Sequence, residues 1–424
     1  MFEIESGADF RKINFNKIPS DPSWNLGEER EFKMHRIHSY PAKFPAFLTT
    51  KALSYAKKNK IAVNKIADIF CGCGTVALEA KRNNIDFWGC DINPIATMIA
   101  KVKSGKYDTE RLRKYMLLIL NFYAAVKNQN GYYETANERL QYWYGKEQYE
   151  KIFRLKYAIE NIIPSRSRYR LFFLCAFSNI LKPSSRWLTK SIKPQVDPDK
   201  NLSDVISIFK KQCEFMIDAN EESGLAEKPK IEIKTANFLD KSINKPKVDM
   251  IITSPPYVTS YEYADLHQLS SLWLDYAEDY RNLRFGSIGS LYHKYNFERE
   301  LKRLNYTGAS VVLRLYGRAK SKARSVAKYF LDMQKVADVC YYMLSDSGAA
   351  VFVIGNTEYK GVKIENAEHL CESLLSSGFK KIMVTKRQIT SKTLTPYRDK
   401  SGKFSSNHNS KKIYSEEFIV IGKK

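Results

Sequence analysis

No apolar run in these 424 residues approaches the ~18 that a membrane-spanning helix needs. The first residues, Met1-Phe2-Glu3-Ile4-Glu5, lack the basic-then-apolar order of a secretory leader, so the chain reads as cytoplasmic with no membrane partner. Cysteine is sparse: the seven (Cys71, Cys73, Cys90, Cys175, Cys213, Cys340, Cys371) are odd in number and scattered. Cys71 and Cys73 stand one residue apart, and no second Cys or His pair answers them, which argues for reduced thiols and no metal site. Internal repeats and long low-complexity runs are missing. Acid is short relative to base, 46 Asp and Glu against 69 Lys and Arg, for a net charge of +23. With 13% aromatics, that excess points to a polyanionic partner, most simply nucleic acid, set against the plainer alternative of a lysine-rich soluble surface. A hydrophobic share of 44% excludes wholesale disorder, and the length allows two to three domains or one large domain with insertions.

What the chain does contain is organised around Asp249-Met250-Ile251-Ile252-Thr253-Ser254-Pro255-Pro256-Tyr257. Met250 to Thr253 reads as a buried strand that must end at two prolines, since proline has no ladder N–H and fixes φ. The loop that follows presents a hydroxyl, two free carbonyls and an aromatic ring where α/β sheets bind ligands. A planar molecule bearing an amine would lie on Tyr257 and donate to Ser254 and a proline carbonyl. The plainer alternative is a turn that merely ends a strand.

Upstream, residues 1–30 read as an irregular arm, and a helix spans about Leu48 to Lys58. Strands at 65–70 and 85–90 alternate with helices at 76–83 and 95–103, the β-α-β-α opening of a parallel sheet. Helices at 111–126, 138–162, 169–181 and 202–218 then interrupt that sheet as an inserted helical subdomain. Strand signals return at 231–234, 250–253, 349–354, 381–385 and 418–421. Between them, 262–276 reads as an aromatic helix, 280–325 as loop-rich and basic, 326–344 and 366–376 as helices, and 386–412 as basic, turn-rich and mobile.

Asp68-x-Phe70-x-Gly72-x-Gly74 lies between a strand and a helix, where glycines let the backbone approach a ligand closely. The third glycine of a dinucleotide fingerprint is missing. Asp91 ends the next strand, where a carboxylate commonly takes ribose hydroxyls. Together these favour a nucleoside-type cofactor over a phosphate chain, with Thr75 and Ile92 beside the two motifs, although a Gly-x-Gly turn by itself is as often structural. Asn237-Phe238-Leu239-Asp240 follows a later strand. There Asp240 would accept from an adenine amino group and Phe238 would pack on the ring, with a capped loop as the equal alternative.

The glycine motif followed by Ser254-Pro255-Pro256-Tyr257 resembles the S-adenosylmethionine-dependent amino-methyltransferases of DNA. His38-Ser39-Tyr40-Pro41-Ala42-Lys43-Phe44 resembles that family's extra N-terminal motif, which closes over the methionine end of the cofactor. The resemblance covers about 34–103 and 230–424. It implies a Rossmann-like class I methyltransferase of the α/β class, with a mostly parallel seven-stranded sheet and a helical insertion. It divides the chain into 1–106, a helical recognition region at 107–228, and a catalytic second half at 229–424 with a basic insertion at 258–325. The Ser form of the tetrapeptide is associated with cytosine N4, so the expectation is cytosine-N4 methylation in a restriction-modification setting. In that setting the partners are double-stranded DNA and a separately encoded cognate restriction endonuclease. S-adenosylmethionine would be held by Tyr40, Pro41, Lys43, Phe44, Asp68, Phe70, Gly72, Gly74, Thr75, Asp91, Ile92, Asn237, Phe238 and Asp240. Catalysis would fall to Ser254, Pro255, Pro256 and Tyr257, on a base flipped from the duplex. No Pro-Cys pair is present for carbon-5 chemistry.

Basic side chains at Lys182, Arg186, Lys190 and Lys193 with Trp187 among them, and a second cluster including Arg314 and Arg318, are the expected DNA contacts. Glu262, Tyr263, Asp265 and His267 are expected to shape the target pocket, His267 as a structural hydrogen-bonder rather than a general base. The rivals are adenine-N6 methylation, guanine-N2 methylation of RNA, and a non-catalytic DNA-binding regulator.

Overall fold

The computed structural model describes residues 1–126, 132–225, 227–258, 262–290, 295–389, 397–398, 405, 407, 409, 411–412 and 415–424. Strand β1 (Phe2–Glu5) comes first. After helix α1 (Ala46–Lys58) follow β2 (Lys65–Asp68), α2 (Thr75–Arg82), β3 (Asp86–Asp91) and α3 (Pro94–Lys103). Helices α4 (Thr109–Ala125), α5 (Glu138–Trp143), α6 (Lys146–Ile162), α7 (Arg168–Ile180) and α8 (Val205–Ser223) then precede β4 (Ile231–Thr235) and β5 (Val248–Thr253). Beyond β5 lie α9 (Tyr263–Leu266), α10 (Gln268–Trp273), α11 (Phe297–Leu301), α12 (Tyr306–Tyr316) and α13 (Lys320–Met343), which runs straight into β6 (Leu344–Ile354). The chain finishes with a hairpin of β7 (Thr357–Tyr359) and β8 (Val362–Ile364), α14 (Asn366–Ser376), β9 (Lys381–Gln388), the two-residue strands β10 (Tyr397–Arg398) and β11 (Lys411–Lys412), and β12 (Glu416–Lys423).

The main sheet has eight strands in the order β1-β9-β12-β6-β5-β2-β3-β4. Neighbours from β6 through β4 are parallel, and β12 runs antiparallel between β6 and β9. Seven of these strands make the Rossmann-like methyltransferase sheet that the α/β expectation called for. The eighth, β1, pairs antiparallel with the outer edge of β9, from Phe2 opposite Val384 to Glu5 opposite Lys381. The irregular arm expected over 1–30 is therefore tied down. Its Phe15, Ile18 and Trp24 are buried as well.

Both faces of the sheet are covered over its central strands, which are therefore apolar on both sides, while the edge strands β1 and β4 alternate with charged residues. Ile66, Met250, Ile252, Val351, Val353, Ile419 and Ile421 pack against α1 and α2. Ala67, Ile251, Ala350, Phe352 and Val420 face α13 and α14. Each fully buried Val, Ile or Phe stabilises the fold by about 1.5–3 kcal/mol, which outweighs the weak strand preference of runs this short. A shift of register between Val248 and Met250 lets Val248 and Ile251 share one face.

The inserted helices α4–α8 form no separate lobe. Their buried residues (Leu112, Ile152, Phe172, Phe209 and others) join Ile95, Met98 and Ile99 of α3 and Leu269, Leu272 and Trp273 of α10 in one core. Gly145, which caps the start of α6, breaks the single helix expected over 138–162. The aromatic helix expected over 262–276 is two short helices, and the segment expected to be loop-rich contains α11 and α12. The stretch expected to be mobile, 386–412, lies largely outside the described residues.

Gly74 caps α2 with φ +76°, and a Cβ there would lie 2.5 Å from the Cβ and 2.6 Å from the Cα of Ala100 on α3. Gly74→Ala is expected to destabilise the protein by on the order of 2–4 kcal/mol in denaturant unfolding. An added Ala100→Gly should recover little, because the Cα remains in the way. Unchanged stability of Gly74→Ala would contradict this packing.

Candidate active site

Strands β2 and β5 lie side by side, Ile66 opposite Met250 and Ala67 opposite Ile251. The sheet order turns outward in both directions here, to β3 on one side and β6 on the other. Such a reversal opens a crevice at the carboxyl ends of the strands, where ligands bind in open α/β sheets. Across it the Thr253 hydroxyl donates to Asp68 Oδ1 at 2.6 Å, both groups buried. Asp68 also accepts from the Phe70 N–H at 3.2 Å. Burial outweighs these bonds and raises the Asp68 carboxyl to about 7, with the Asp91 charge adding to the rise.

The glycine loop leaves β2 at that point. Gly72, with φ +45°, donates its N–H to Asp91 Oδ2 at 2.9 Å, and the other oxygen of Asp91 accepts from Asn93 N at 2.8 Å. Burial raises the Asp91 carboxyl against these two bonds. Thr75 is buried at the start of α2, and Phe70 stays half-buried at the loop's entry.

The N-terminal motif is bolted down from below. His35 Nε2 meets Glu79 Oε1 of α2 at 2.7 Å, and His38 Nε2 meets Ser178 Oγ of α7 at 2.9 Å. Ser178 in turn donates to Ser270 Oγ of α10 at 2.8 Å. That places the Tyr40 ring against the glycine loop, 3.8 Å from where a Gly72 side chain would begin. The same ring stacks on Tyr263 (centroids 5.8 Å, 18°) and on His267 (5.1 Å, 22°). Pro41 is half-buried beside it, and Phe44 packs on the α1 side of the core. Lys43 turns away, its Nζ on Glu31 Oε2 at 2.6 Å and on the His35 carbonyl at 3.1 Å. Burial drives His38 down to about 4 and His267 to about 3. His267 is thus neutral and stacked, and among the described residues its Nε2 meets no partner.

On the β4 side the structure differs from expectation. Asn237 uses Nδ2 on the Gly286 carbonyl (3.0 Å) and Oδ1 on its own loop at Leu239 N (2.8 Å). Asp240 is exposed and accepts from Ser242 N at 2.9 Å, too solvated to face a buried adenine. Phe238 is buried, edge-on to Phe70 at 6.3 Å and covered by the Lys245 ammonium, so it has no open face to stack. Gly286, which carried no signal in the sequence, instead crosses over this side: a Cβ there would sit 3.1 Å from Ile92 Cδ1.

In the loop after β5, the Ser254 hydroxyl donates to the Val353 carbonyl of β6 at 2.9 Å. That commits its proton and leaves its oxygen as an acceptor. Pro255 is buried and Pro256 half-buried. The Tyr257 hydroxyl donates to Glu417 Oε1 at 3.0 Å, and burial together with that carboxylate pushes the phenol well above its usual range. The Lys322 ammonium of α13 closes the loop, donating to the Val258 carbonyl at 2.9 Å.

Most of the expected DNA contacts are spent within the fold. Lys182 donates to the Ser191 carbonyl (2.8 Å) and Arg186 to the Tyr142 carbonyl (2.7 Å). Trp187 is buried and stacked on Trp143 at 5.0 Å, closed to any base. Arg314 pairs with Glu365 (2.5 Å), and Arg318 donates to the Lys360 carbonyl (2.8 Å). Of the seven, Lys190, Lys193, Arg314 and Arg318 are exposed, the two arginines with their guanidinium groups engaged as just described. Basic residues cluster here because carbonyl-rich turns need donors, which charge density cannot distinguish from a phosphate-binding surface. Among the described residues no group of three or more His, Cys, Asp or Glu is placed to hold a metal, the seven cysteines are free and buried, and no helix is long and apolar enough to cross a membrane.

Residues 53–285, more than half of the chain, match the family model of the D12 class N6 adenine-specific DNA methyltransferases. Two Type II methyltransferases are similar. M.MvaI of Kocuria varians is 22% identical over 380 residues, 82% of each chain. M.MjaII of Methanocaldococcus jannaschii is 34% identical over 113 residues, 26% of this chain and 20% of that one. Among solved structures, the rRNA methyltransferase aviRa from Streptomyces viridochromogenes aligns over 91% of this chain and 88% of its own at 10% identity and a TM-score of 0.29. The family match overturns the expectation of cytosine-N4 methylation. That expectation rested on Ser254, and an acceptor aimed at an exocyclic amine is compatible with adenine as well as cytosine.

Buried neutral histidines make stability depend on pH. With folded pKa values of about 4 and about 3 against an ordinary 6.5, the unfolded chain binds more protons below pH 6.5, so stability present at neutral pH is lost as pH falls from there toward 4. At pH 5 the loss is about 2 kcal/mol for each such histidine. His267→Phe keeps a ring on Tyr40 and removes one titration. Its melting temperature should fall less than the parent's between pH 7 and pH 5, and equal falls would contradict the assignment.

Proposed function

Because the chain belongs to the D12 class N6 adenine-specific DNA methyltransferase family, we propose that it transfers a methyl group from S-adenosylmethionine to the exocyclic N6 amine of adenine in duplex DNA. The observation that carries this reading is the 2.6 Å bond from Thr253 to Asp68, which holds the glycine loop and the Pro-Pro-Tyr loop on adjacent strands of one crevice.

The residues of the crevice suit the cofactor. Gly72 and Asn93 occupy one position on each oxygen of Asp91, which leaves two acceptor positions for a pair of ribose hydroxyls. Phe70 and Ile92 supply half-buried apolar walls, and Tyr40 closes over Gly72. When bound, S-adenosylmethionine supplies a methyl group on a positively charged sulfur.

Adenine's amine is a poor nucleophile because its lone pair is delocalised into the ring. Two acceptors on its two N–H bonds favour a pyramidal nitrogen with a localised lone pair. Ser254 Oγ, its own proton held by Val353, and the Pro255 carbonyl, which meets no donor among the described residues, are those acceptors. Tyr257 supplies the face on which the base stacks once it has left the duplex. Positioning the nitrogen in line with the methyl group provides most of the acceleration. Lys190 and Lys193 are free to meet phosphates. Both curated relatives are Type II methyltransferases, which supports a restriction-modification setting with a separately encoded endonuclease as partner.

Tritiated methyl transfer to unmethylated genomic DNA, with transfer RNA as the alternative substrate, tests the reading. Label should enter DNA and not RNA; the reverse would sink it. Tyr257→Ala should cut kcat by roughly 100-fold while S-adenosylmethionine affinity by calorimetry stays put. Asp91→Asn should weaken that affinity about tenfold, because one charge-assisted acceptor is lost.

A further inference from the structure

Four neighbouring strands, β5, β6, β12 and β9, each place one residue in a row at the active-site edge of the sheet. Tyr257 follows β5 and reaches across β6 at Gly355, whose missing side chain leaves the ring 3.5–3.9 Å from where a Cβ would stand. Its hydroxyl ends on Glu417 Oε1 of β12 at 3.0 Å. The other carboxylate oxygen, Oε2, accepts from Arg387 of β9, at 3.0 Å from Nε and 2.5 Å from Nη2. Glu417 and Arg387 are direct cross-strand partners in the β9–β12 ladder. The Arg387 guanidinium lies over the Phe47 ring of α1, 5.5 Å from its centre, and is itself buried.

We propose that Glu417 and Arg387 are positioning residues that fix the plane of the Tyr257 ring before the target base arrives. This rests on the reading of Tyr257 as the stacking surface. A tyrosine on a loop can turn about its Cα–Cβ and Cβ–Cγ bonds. A hydroxyl anchored to a carboxylate that is itself held by a buried guanidinium leaves it one orientation. The carboxylate divides its two oxygens between the two partners, so loss of Glu417 frees the ring and strands the arginine. A fixed stacking plane lowers the entropy lost when the flipped base docks, and it places the amine rather than binding the methyl donor.

A double-mutant cycle on the full-length protein tests this, with tritiated methyl transfer to unmethylated genomic DNA as the assay. Tyr257→Phe and Glu417→Ala should each lower kcat about tenfold, and the double variant should fall no further than either alone, since each removes the Tyr257–Glu417 bond that fixes the ring. Calorimetric affinity for S-adenosylmethionine should stay within twofold of the parent in all three. Glu417→Gln keeps an acceptor for the hydroxyl and should retain activity within about threefold of the parent. Losses that multiply in the double variant, an unchanged kcat in Glu417→Ala, or weakened cofactor affinity would each overturn the proposal. Hydrolysis of the labelled DNA separates it from the adenine reading: label on another base would defeat that reading, while the cycle would still report whether the ring is anchored.

Discussion

The hydroxyl of Thr253 and the carboxylate of Asp68 meet at 2.6 Å in a site closed to water, and the active crevice depends on that contact. A carboxylate buried this deeply is costly unless hydrogen-bonded. Its position at the end of β2, one residue before the chain turns into the glycine loop, means that the geometries of the glycine loop and of the Pro-Pro-Tyr loop share one anchor. The two residues stand 185 positions apart in the chain, with the whole helical insertion between them. What would otherwise be two independent loops is a single crevice, with one wall proposed for the cofactor and the other for the target base.

The helical insertion contributes support more than surface. His38 reaches Ser178 on α7, and Ser178 reaches Ser270 on α10. Gln268, also on α10, accepts from Trp143 Nε1 at 2.9 Å and Arg139 Nε at 2.6 Å. The N-terminal motif and the segment after the Pro-Pro-Tyr loop are therefore both fastened to α7, and the latter to α5 as well. Their aromatic side chains, Tyr40, Tyr263 and His267, stack where the two meet. The basic loop at 182–193, which looks like a DNA-facing element by charge, is folded around its own carbonyls. Lys200 shows the pattern most clearly, donating to three of them, at Lys182, Ser185 and Trp187.

Strands β2, β3, β5 and β6 were legible because strands buried on both faces are apolar throughout, and glycines and prolines mark where such strands stop; the edge strand β4 showed instead as Ile231 and Ile233 alternating with charge. The glycine loop, Asp91 and the Pro-Pro-Tyr loop were legible for the same reason: each is local chemistry at a strand end. Strand β1 was not. Phe2-Glu3-Ile4-Glu5 is a strand only because the edge of β9 offers it a ladder. Helix α12 was hidden by Gly308 and by the charge around it. The stretch 237–240 looked like an adenine pocket, yet Phe238 points into the core and Asp240 into water. Which side a side chain faces depends on neighbours distant in sequence. Ser254 misled in the same way. Read in isolation, its hydroxyl seemed to select cytosine, but the carbonyl of Val353, 99 positions later, takes its proton and leaves an acceptor that suits either base.

The central claim is that this crevice methylates the exocyclic amine of adenine. It is tested most directly by incubating the protein with unmethylated duplex DNA and S-adenosylmethionine, digesting the DNA to nucleosides, and identifying the product by mass spectrometry. The account predicts N6-methyl-2′-deoxyadenosine and no methylated cytidine. N4-methyl-2′-deoxycytidine without methylated adenosine would contradict it.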